Sequence, residues 1–187
     1  KVTSITRTDS EASTGDVVLW VNSTCVVKNE DGKAPECVSA KDKQNRLVTA
    51  STDTFASDRK TALAVNEFEG LPSDAEAKEG LVNKFPFGAK QETYPFWDGS
   101  VGKAVDANFE GEEDVDGLLT YKYRSVVKNA PTEIAAGVKG TYDDDKTMWV
   151  EPNTGSIINQ SEHRVMKQDG KPVVELKMKF TDEQVAS

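Results

Sequence analysis

The stretch Val173-Val174-Glu175-Leu176-Lys177-Met178-Lys179-Phe180 alternates apolar and charged side chains along almost its whole length. Successive side chains of a β-strand point to opposite faces, so this pattern predicts a strand with one buried and one water-facing side. The apolar face would carry Val174, Leu176, Met178 and Phe180, and the charged face Glu175, Lys177 and Lys179. Such alternation is typical of an antiparallel sheet that faces water on one side.

The same period recurs upstream, with turn residues between the alternating stretches. In residues 118–127, Leu119, Tyr121, Tyr123 and Val127 fall on one face. Asn153-Thr154-Gly155 and Asp169-Gly170 carry the small and flexible residues that turns require. The pattern predicts a three-stranded antiparallel meander at residues 147–150, 157–166 and 173–180. It also predicts two long strands near the N-terminus, at residues 16–27 and 46–55.

Helix signals are few, so the predicted class is mostly β (α+β). Residues 73–80 combine a capping box, Ser73 with Glu76, and a terminal Gly80. Residues 181–184 are typical of the start of a second helix. We expect an antiparallel sheet or a partly closed β-barrel with one or two short helices. The length of 187 residues predicts a single domain over 1–187, with residues 70–80 as the best candidate boundary.

The composition limits the classes of partner. Asp and Glu number 32 against 23 Lys and Arg, which gives a formal net charge of -9. Binding of nucleic acid phosphates needs a surplus of Lys and Arg, so nucleic acid is not an expected partner. The apolar runs are far shorter than the ~18 residues that cross a bilayer as a helix. Any targeting or anchoring segment is therefore expected outside this chain.

Two cysteines, Cys25 and Cys37, lie twelve positions apart. Asp31-Gly32 between them is a turn signal, and a reversal there could bring the two sulfur atoms within bridging distance. A disulfide would indicate an oxidising, extracytoplasmic compartment. The alternative is a pair of free thiols. Metal binding is less expected, because no second Cys or His pair completes four ligands.

The residues give little support for catalysis. His163 is the single histidine and is expected to be a partly exposed strand residue. The glycine-rich Gly99-Ser100-Val101-Gly102-Lys103 does not match the phosphate-binding P-loop. Asp143-Asp144-Asp145 is expected at a solvated hairpin tip. No catalytic residue, metal ligand or cofactor is predicted, and paired carboxylates acting on a glycan remain the alternative.

The most unusual stretch is aromatic and is the candidate ligand-binding region. Five of the fourteen aromatic residues fall within thirteen positions: Phe85, Phe87, Tyr94, Phe96 and Trp97. Pro and Gly residues interrupt them, which predicts a structured loop. These rings could plug the end of a β core, since large aromatic side chains carry much buried area, or they could form a surface for a ligand or partner.

Four short motifs in the second half of the chain resemble the actinobacterial PorA-family envelope proteins. They are Thr93-Tyr94-Pro95-Phe96-Trp97-Asp98, Ala107-Asn108-Phe109-Glu110-Gly111-Glu112, Asp116-Gly117-Leu118-Leu119-Thr120-Tyr121 and Met148-Trp149-Val150-Glu151-Pro152-Asn153-Thr154-Gly155. The resemblance covers about residues 94–164. It implies an exported domain on the periplasmic side of the membrane, flanked by membrane helices outside this fragment.

The resemblance also implies a function in lipoglycan synthesis, in the maturation of lipomannan toward lipoarabinomannan. On that basis we expect a non-enzymatic accessory domain that binds a glycolipid, a lipoglycan intermediate or a membrane glycosyltransferase. The family's name suggests a pore instead. Charged outward positions such as Glu175 and Lys177 favour a domain in water, because charge facing lipid is costly.

Overall fold

The computed structural model describes residues 1–29, 32–135 and 137–185. Strands occupy most of these ranges. In chain order the elements are β1 (Val2–Asp9), β2 (Val17–Val27), β3 (Leu47–Asp58), β4 (Ala64–Val65), β5 (Tyr94–Asp98), β6 (Lys103–Val115), β7 (Leu118–Ala135), β8 (Val138–Val150), β9 (Ile157–Gln168), β10 (Lys171–Lys179) and α1 (Asp182–Val185). The predicted mostly-β class is confirmed.

The chain divides into two compact units. The first comprises Lys1–Arg59 and Val65–Ala77, and the second comprises Lys60–Ala64 and Lys78–Ser187. The chain leaves the first unit for the last time between Ala77 and Lys78. This point lies within residues 70–80, the stretch that the sequence predicts as the best candidate boundary. A single domain over residues 1–187 stays a prediction.

The first sheet has the strand order β1-β2-β3-β4. Strands β1, β2 and β3 pair antiparallel. Buried apolar side chains occur on both faces of the β2–β3 pair: Leu19, Val27 and Ala56 on one face, and Val18 and Phe55 on the other. The predicted disulfide is formed, since Cys25 in β2 is bonded to Cys37 with a Cα–Cα distance of 5.7 Å. Asp31, half of the predicted turn between them, lies outside the described residues.

The second sheet has the order β10-β9-β8-β7-β6-β5, and its strands pair antiparallel. The predicted meander over β8, β9 and β10 is therefore confirmed. Asp116 and Gly117 join β6 to β7 with φ values of 52° and 84°, the left-handed conformation that a tight hairpin turn needs. Neither sheet closes on itself in the described part of the chain, so these residues form two antiparallel sheets and no closed barrel.

The apolar core of the second unit lies on one face of this sheet. Its buried members are Ala62, Leu81, Phe85, Ala89, Ala107, Tyr123, Met148 and Val150. Tyr123 in β7 is opposite Met148 in β8, so both point to this inner face. At the outer end of the meander burial weakens, because Val174 in β10 is 36% exposed although its alternation predicts an inward position.

One of the two predicted helices is wrong and one is confirmed. Residues 73–80 contain no helix, only a turn at their beginning. A capping box supplies local hydrogen bonds, but a short isolated helix is marginal without a buried apolar stripe. The helix predicted from residue 181 is present as α1.

Among the described residues there is no helix with both the length and the apolar character needed to span a membrane.

Candidate functional site

The aromatic stretch contributes mainly to the core of the second unit. Phe85 is fully buried, and its ring stacks on Tyr123 with the ring centroids 4.4 Å apart. Tyr94 and Phe96 in β5 pack against this core and are half-buried. The hydroxyl of Tyr123 donates a hydrogen bond of 2.5 Å to the carbonyl oxygen of Lys90, which ties the loop to β7.

Two of the five aromatic candidates reach the surface. Phe87 is 50% exposed, and Lys84 Nζ lies 3.8 Å from its ring centroid. Trp97 is half-buried, with Lys78 Nζ 5.3 Å from its ring centroid. These contacts are cation–π arrangements and stabilise the rings where they are. A ligand-binding role for the aromatic stretch stays a prediction.

A buried charge cluster, formed by Asp98, Asp144, Lys146, Glu162 and Arg164, lies on the inner face of the second sheet. In the register of β8 and β9, Lys146 is opposite Glu162 and Asp144 is opposite Arg164. All four therefore project from the same face as Met148. The cluster has no counterpart in the sequence prediction, which places residues 143–145 at a hairpin tip. That placement is wrong, since these residues lie in the middle of β8.

Lys146 connects the two buried carboxylates. Its Nζ atom lies 3.7 Å from Asp144 Oδ2 and 3.6 Å from Glu162 Oε1. Arg164 donates a hydrogen bond to Glu162 Oε1. Tyr142, next to Asp144 along β8, also lies on this inner side as a fully buried residue, and its hydroxyl donates to Asp98 Oδ2 at 3.4 Å. The cluster thus holds three acidic and two basic side chains.

The two central carboxyl groups, of Asp144 and Glu162, differ in the direction of their pKa shifts. Burial, followed by the nearby Glu162 carboxylate, raises the pKa of Asp144 to about 7. Burial also acts to raise the pKa of Glu162, but Lys146 and Arg164 outweigh it and hold that pKa below its ordinary value. Asp144 Oδ1 and Arg164 Nε are buried and have no hydrogen-bond partner in the described structure. Asp144 is therefore the group of this cluster that gains or loses a proton near neutral pH.

The outer face of the same sheet carries an open groove of about 550 Å³. Most of its lining comes from outward-facing residues of β8, β9 and β10: Asp145, Thr147, Ser161, His163, Lys177 and Lys179. The inward-facing Glu162 and Met178 also border it. His163 is exposed, as predicted, and its Nε2 atom lies 2.9 Å from Glu175 Oε1. The groove is open to solvent.

Asp145 on this outer face is held by an arginine. Arg124 in β7 donates from Nε and one terminal nitrogen to the two carboxylate oxygens of Asp145, at 2.8 and 2.6 Å. Paired hydrogen bonds of this kind fix the geometry of a carboxylate. They hold the pKa of Asp145 below its ordinary value. The pKa values of Asp144 and Asp145, which are adjacent in β8, are therefore shifted in opposite directions because the two side chains lie on opposite faces of the sheet.

The chain is similar to proteins named as porins. A family model described as "Porin PorA" matches residues 1–187. A "Porin PorA" of Corynebacterium amycolatum is 27% identical over 174 aligned residues, covering 64% of this chain and 44% of the relative. Another "Porin PorA", of Corynebacterium resistens, is 28% identical over 113 residues, covering 53% of this chain and 27% of the relative. This chain spans less than half the length of these curated relatives.

These matches correct the function expected from the resemblance. The expected accessory domain of lipoglycan synthesis, with glycolipid binding, is wrong, because the matching family and both relatives are named as porins. The matches to porins are compatible with the expected extracytoplasmic location in the cell envelope.

Proposed function

The chain belongs to the PorA family, and from this membership we propose that it is part of a channel-forming protein of the cell envelope. The observation that carries the proposal is the match of the "Porin PorA" family over residues 1–187. The two Corynebacterium relatives, which share the name, support it. Because those relatives are much longer than this chain, channel formation is assigned to the whole protein.

We place this part of the protein on the periplasmic side of the cell membrane. The support is the disulfide between Cys25 and Cys37, since such bonds persist in oxidising compartments and are rare where thiols are kept reduced. A membrane tether outside this chain, and the absence of a nucleic acid partner, stay predictions.

The charge of the chain suggests which ions the channel would favour. A formal net charge of -9 creates a negative potential, which raises the local concentration of cations. Acidic side chains near a pore favour cations by the same electrostatics. We therefore expect a reversal potential of the cation-selective sign when a bilayer that contains the full-length protein separates two concentrations of potassium chloride.

The chain is proposed to act without a catalytic centre. The support is the state of its close carboxylates: Asp144 is 2% and Glu162 7% exposed, and both are engaged by Lys146. Carboxyl groups that hydrolyse a glycosidic bond must instead flank the sugar across an accessible cleft.

Channel formation can be tested with vesicles loaded with a self-quenching dye small enough to pass a pore. Vesicles that contain the full-length protein should release the dye or swell in permeant solutes, whereas protein-free vesicles should not. A size limit for permeant solutes distinguishes a channel from general leakage. Vesicles that retain all solutes, at protein densities confirmed by gel analysis, would contradict the proposal.

A further inference from the structure

Strand β10 lies at the edge of the second sheet. It pairs with β9 on one side, and no described strand pairs with its other side. The amide of Phe180 donates to the carbonyl oxygen of Gln160. Since hydrogen-bonded and non-hydrogen-bonded pairs alternate along an antiparallel ladder, the backbone groups of Glu175 and Lys177 point away from β9.

This edge carries a pattern that is complementary to itself. Glu175 and Lys177 have opposite charges and are separated by Leu176. Their side chains are 51% and 74% exposed and lie on the outer face. Val174 is 36% exposed on the opposite face, where it follows the apolar alternation of β10. An exposed row of backbone donors and acceptors is a template for pairing with another strand.

We propose that β10 is the pairing surface for a second copy of this chain, antiparallel and related by a two-fold axis at Leu176. In this register Glu175 faces the partner's Lys177, and Lys177 faces the partner's Glu175. Both pairs are of the kind in which the two residues exchange backbone hydrogen bonds. The contact is isologous, as in most two-fold dimers.

The charges select this register over its neighbours. Moving the axis one residue toward the N-terminus places Glu175 opposite the partner's Glu175. Moving it one residue toward the C-terminus places Lys177 opposite the partner's Lys177. Like charges directly opposite each other destabilise a strand pair, whereas opposite charges stabilise it.

The apolar face of β10 fits the same register. Leu176 meets the partner's Leu176 at the axis, and Val174 lies opposite the partner's Met178. The exposed Val174 is covered and the inner face of the sheet continues from one copy to the other. Pro172 lacks a backbone N–H, so pairing is confined to the part of β10 after the irregularity at Pro172 and Val174.

Charge reversal tests this interface and its register together. Sedimentation equilibrium of this chain should show a monomer–dimer equilibrium. Each single variant, Glu175→Lys and Lys177→Glu, creates two like-charge pairs per dimer and should weaken association about tenfold or more. The double variant exchanges the charges, restores both pairs and should recover the wild-type dimer. Circular dichroism and thermal unfolding confirm that each variant is folded.

The Glu175→Lys variant also loses the contact of Glu175 with His163, so His163→Ala is the matched control and should associate like the wild type. A second readout is Leu176→Cys, which should form a bond between copies under mild oxidation, because cysteines directly opposite at such a position lie within bridging range. A wild-type chain that stays monomeric to high concentration overturns the proposal. Folded single variants that dimerise as tightly as the wild type, or a folded double variant that does not recover the dimer, also overturn it.

Discussion

The carboxylates of Asp144 and Glu162 both contact the Nζ atom of Lys146, at 3.7 and 3.6 Å, on the buried face of the second sheet. Two acidic groups that share one cation in a buried site cannot both ionise at low cost. Arg164 adds a second cation beside Glu162, so Glu162 keeps the charge and Asp144 holds its proton to higher pH. This division determines how the stability of the protein depends on pH.

The variant Asp144→Asn should flatten the dependence of stability on pH. The folded-state pKa of Asp144 is about 7, raised from its ordinary value of 3.8. The folded protein therefore binds more protons than the unfolded chain between these values. The free energy of unfolding of the wild type should fall as pH rises from about 5 to 7, by up to about 1.4 kcal/mol per pH unit. Urea unfolding at pH 5, 6, 7 and 8 measures this slope in both proteins.

The matched control for that comparison is Asp145→Asn, the next residue on the opposite face. The pKa of Asp145 is lowered, so its contribution to stability is present above its ordinary pKa and is lost only in more acidic solution. Its replacement should lower stability by a similar amount at each pH between 5 and 8. An Asp144→Asn slope equal to that of the wild type would show that Asp144 does not titrate in this range.

Replacement of Lys146 by methionine should destabilise the second unit strongly. The side chain of Lys146 is 14% exposed, and its removal leaves Asp144 and Glu162 buried without their shared cation. Breaking a buried ion pair by removing one partner costs about 3–5 kcal/mol. Lys122→Met is the control, because Lys122 makes a more exposed pair with Glu113 and should cost about 1 kcal/mol or less. Equal losses in the two variants, measured by urea unfolding, would argue against a structural role of the cluster.

The aromatic stretch should separate into core and surface positions. Phe85→Ala removes a fully buried ring and should cost about 3–5 kcal/mol. Phe87→Ala removes a ring that is half exposed and should cost about 1 kcal/mol or less. Chemical denaturation measures both. A large loss for Phe87 and a small one for Phe85 would reverse the assignment of core and surface.

The bond between Cys25 and Cys37 should stabilise the first unit. Its loop spans a sequence separation of 12. In the chain-entropy view, closing a loop of this length contributes about 2–3 kcal/mol by restricting the unfolded chain. Replacing both cysteines by serine should lower the unfolding midpoint by the corresponding amount, and adding a reductant should have no further effect on that variant. An unchanged midpoint would mean that the bond adds nothing to stability.

Gly155 should be intolerant of alanine. Its φ is +72°, and a Cβ atom there would overlap the carbonyl oxygen of Phe85. Gly117 also has a positive φ, of +84°, but a Cβ atom there would meet no neighbour within 4 Å. Gly117→Ala should therefore cost only the backbone strain, about 1 kcal/mol, while Gly155→Ala should cost clearly more. Comparable midpoints for the two variants would contradict the close approach at Gly155.

The strands were predictable from the sequence because apolar and polar residues alternate along a strand that is buried on one face. Tyr123 lies between the polar residues Lys122 and Arg124. Tyr123 and Val127 are buried as predicted, whereas Leu119, predicted on the same face, is 50% exposed. The disulfide followed from two cysteines with a turn signal between them. The helix predicted at residues 73–80 is absent, because its local capping signal is not supported by a buried face.

The buried charge cluster could not be predicted from the sequence. Asp143, Asp144 and Asp145 form an acidic run that is typical of a solvated turn. What places Asp144 inside is the register of β8 against β9, which brings Lys146 and Arg164 to its face. Only long-range strand pairing fixes that register. The sequence does contain one indication of the buried position of Asp144. Tyr142, Met148 and Val150 lie at even spacing from Asp144, so their side chains share its face of β8, and all three are buried.

Single-channel recording of the full-length protein in a planar lipid bilayer is the decisive test of channel formation. We expect stepwise increases in current after the protein is added to one chamber, with a reversal potential of the cation-selective sign under a potassium chloride gradient. A current that stays at the level of the protein-free bilayer, for protein whose insertion is confirmed, would contradict it.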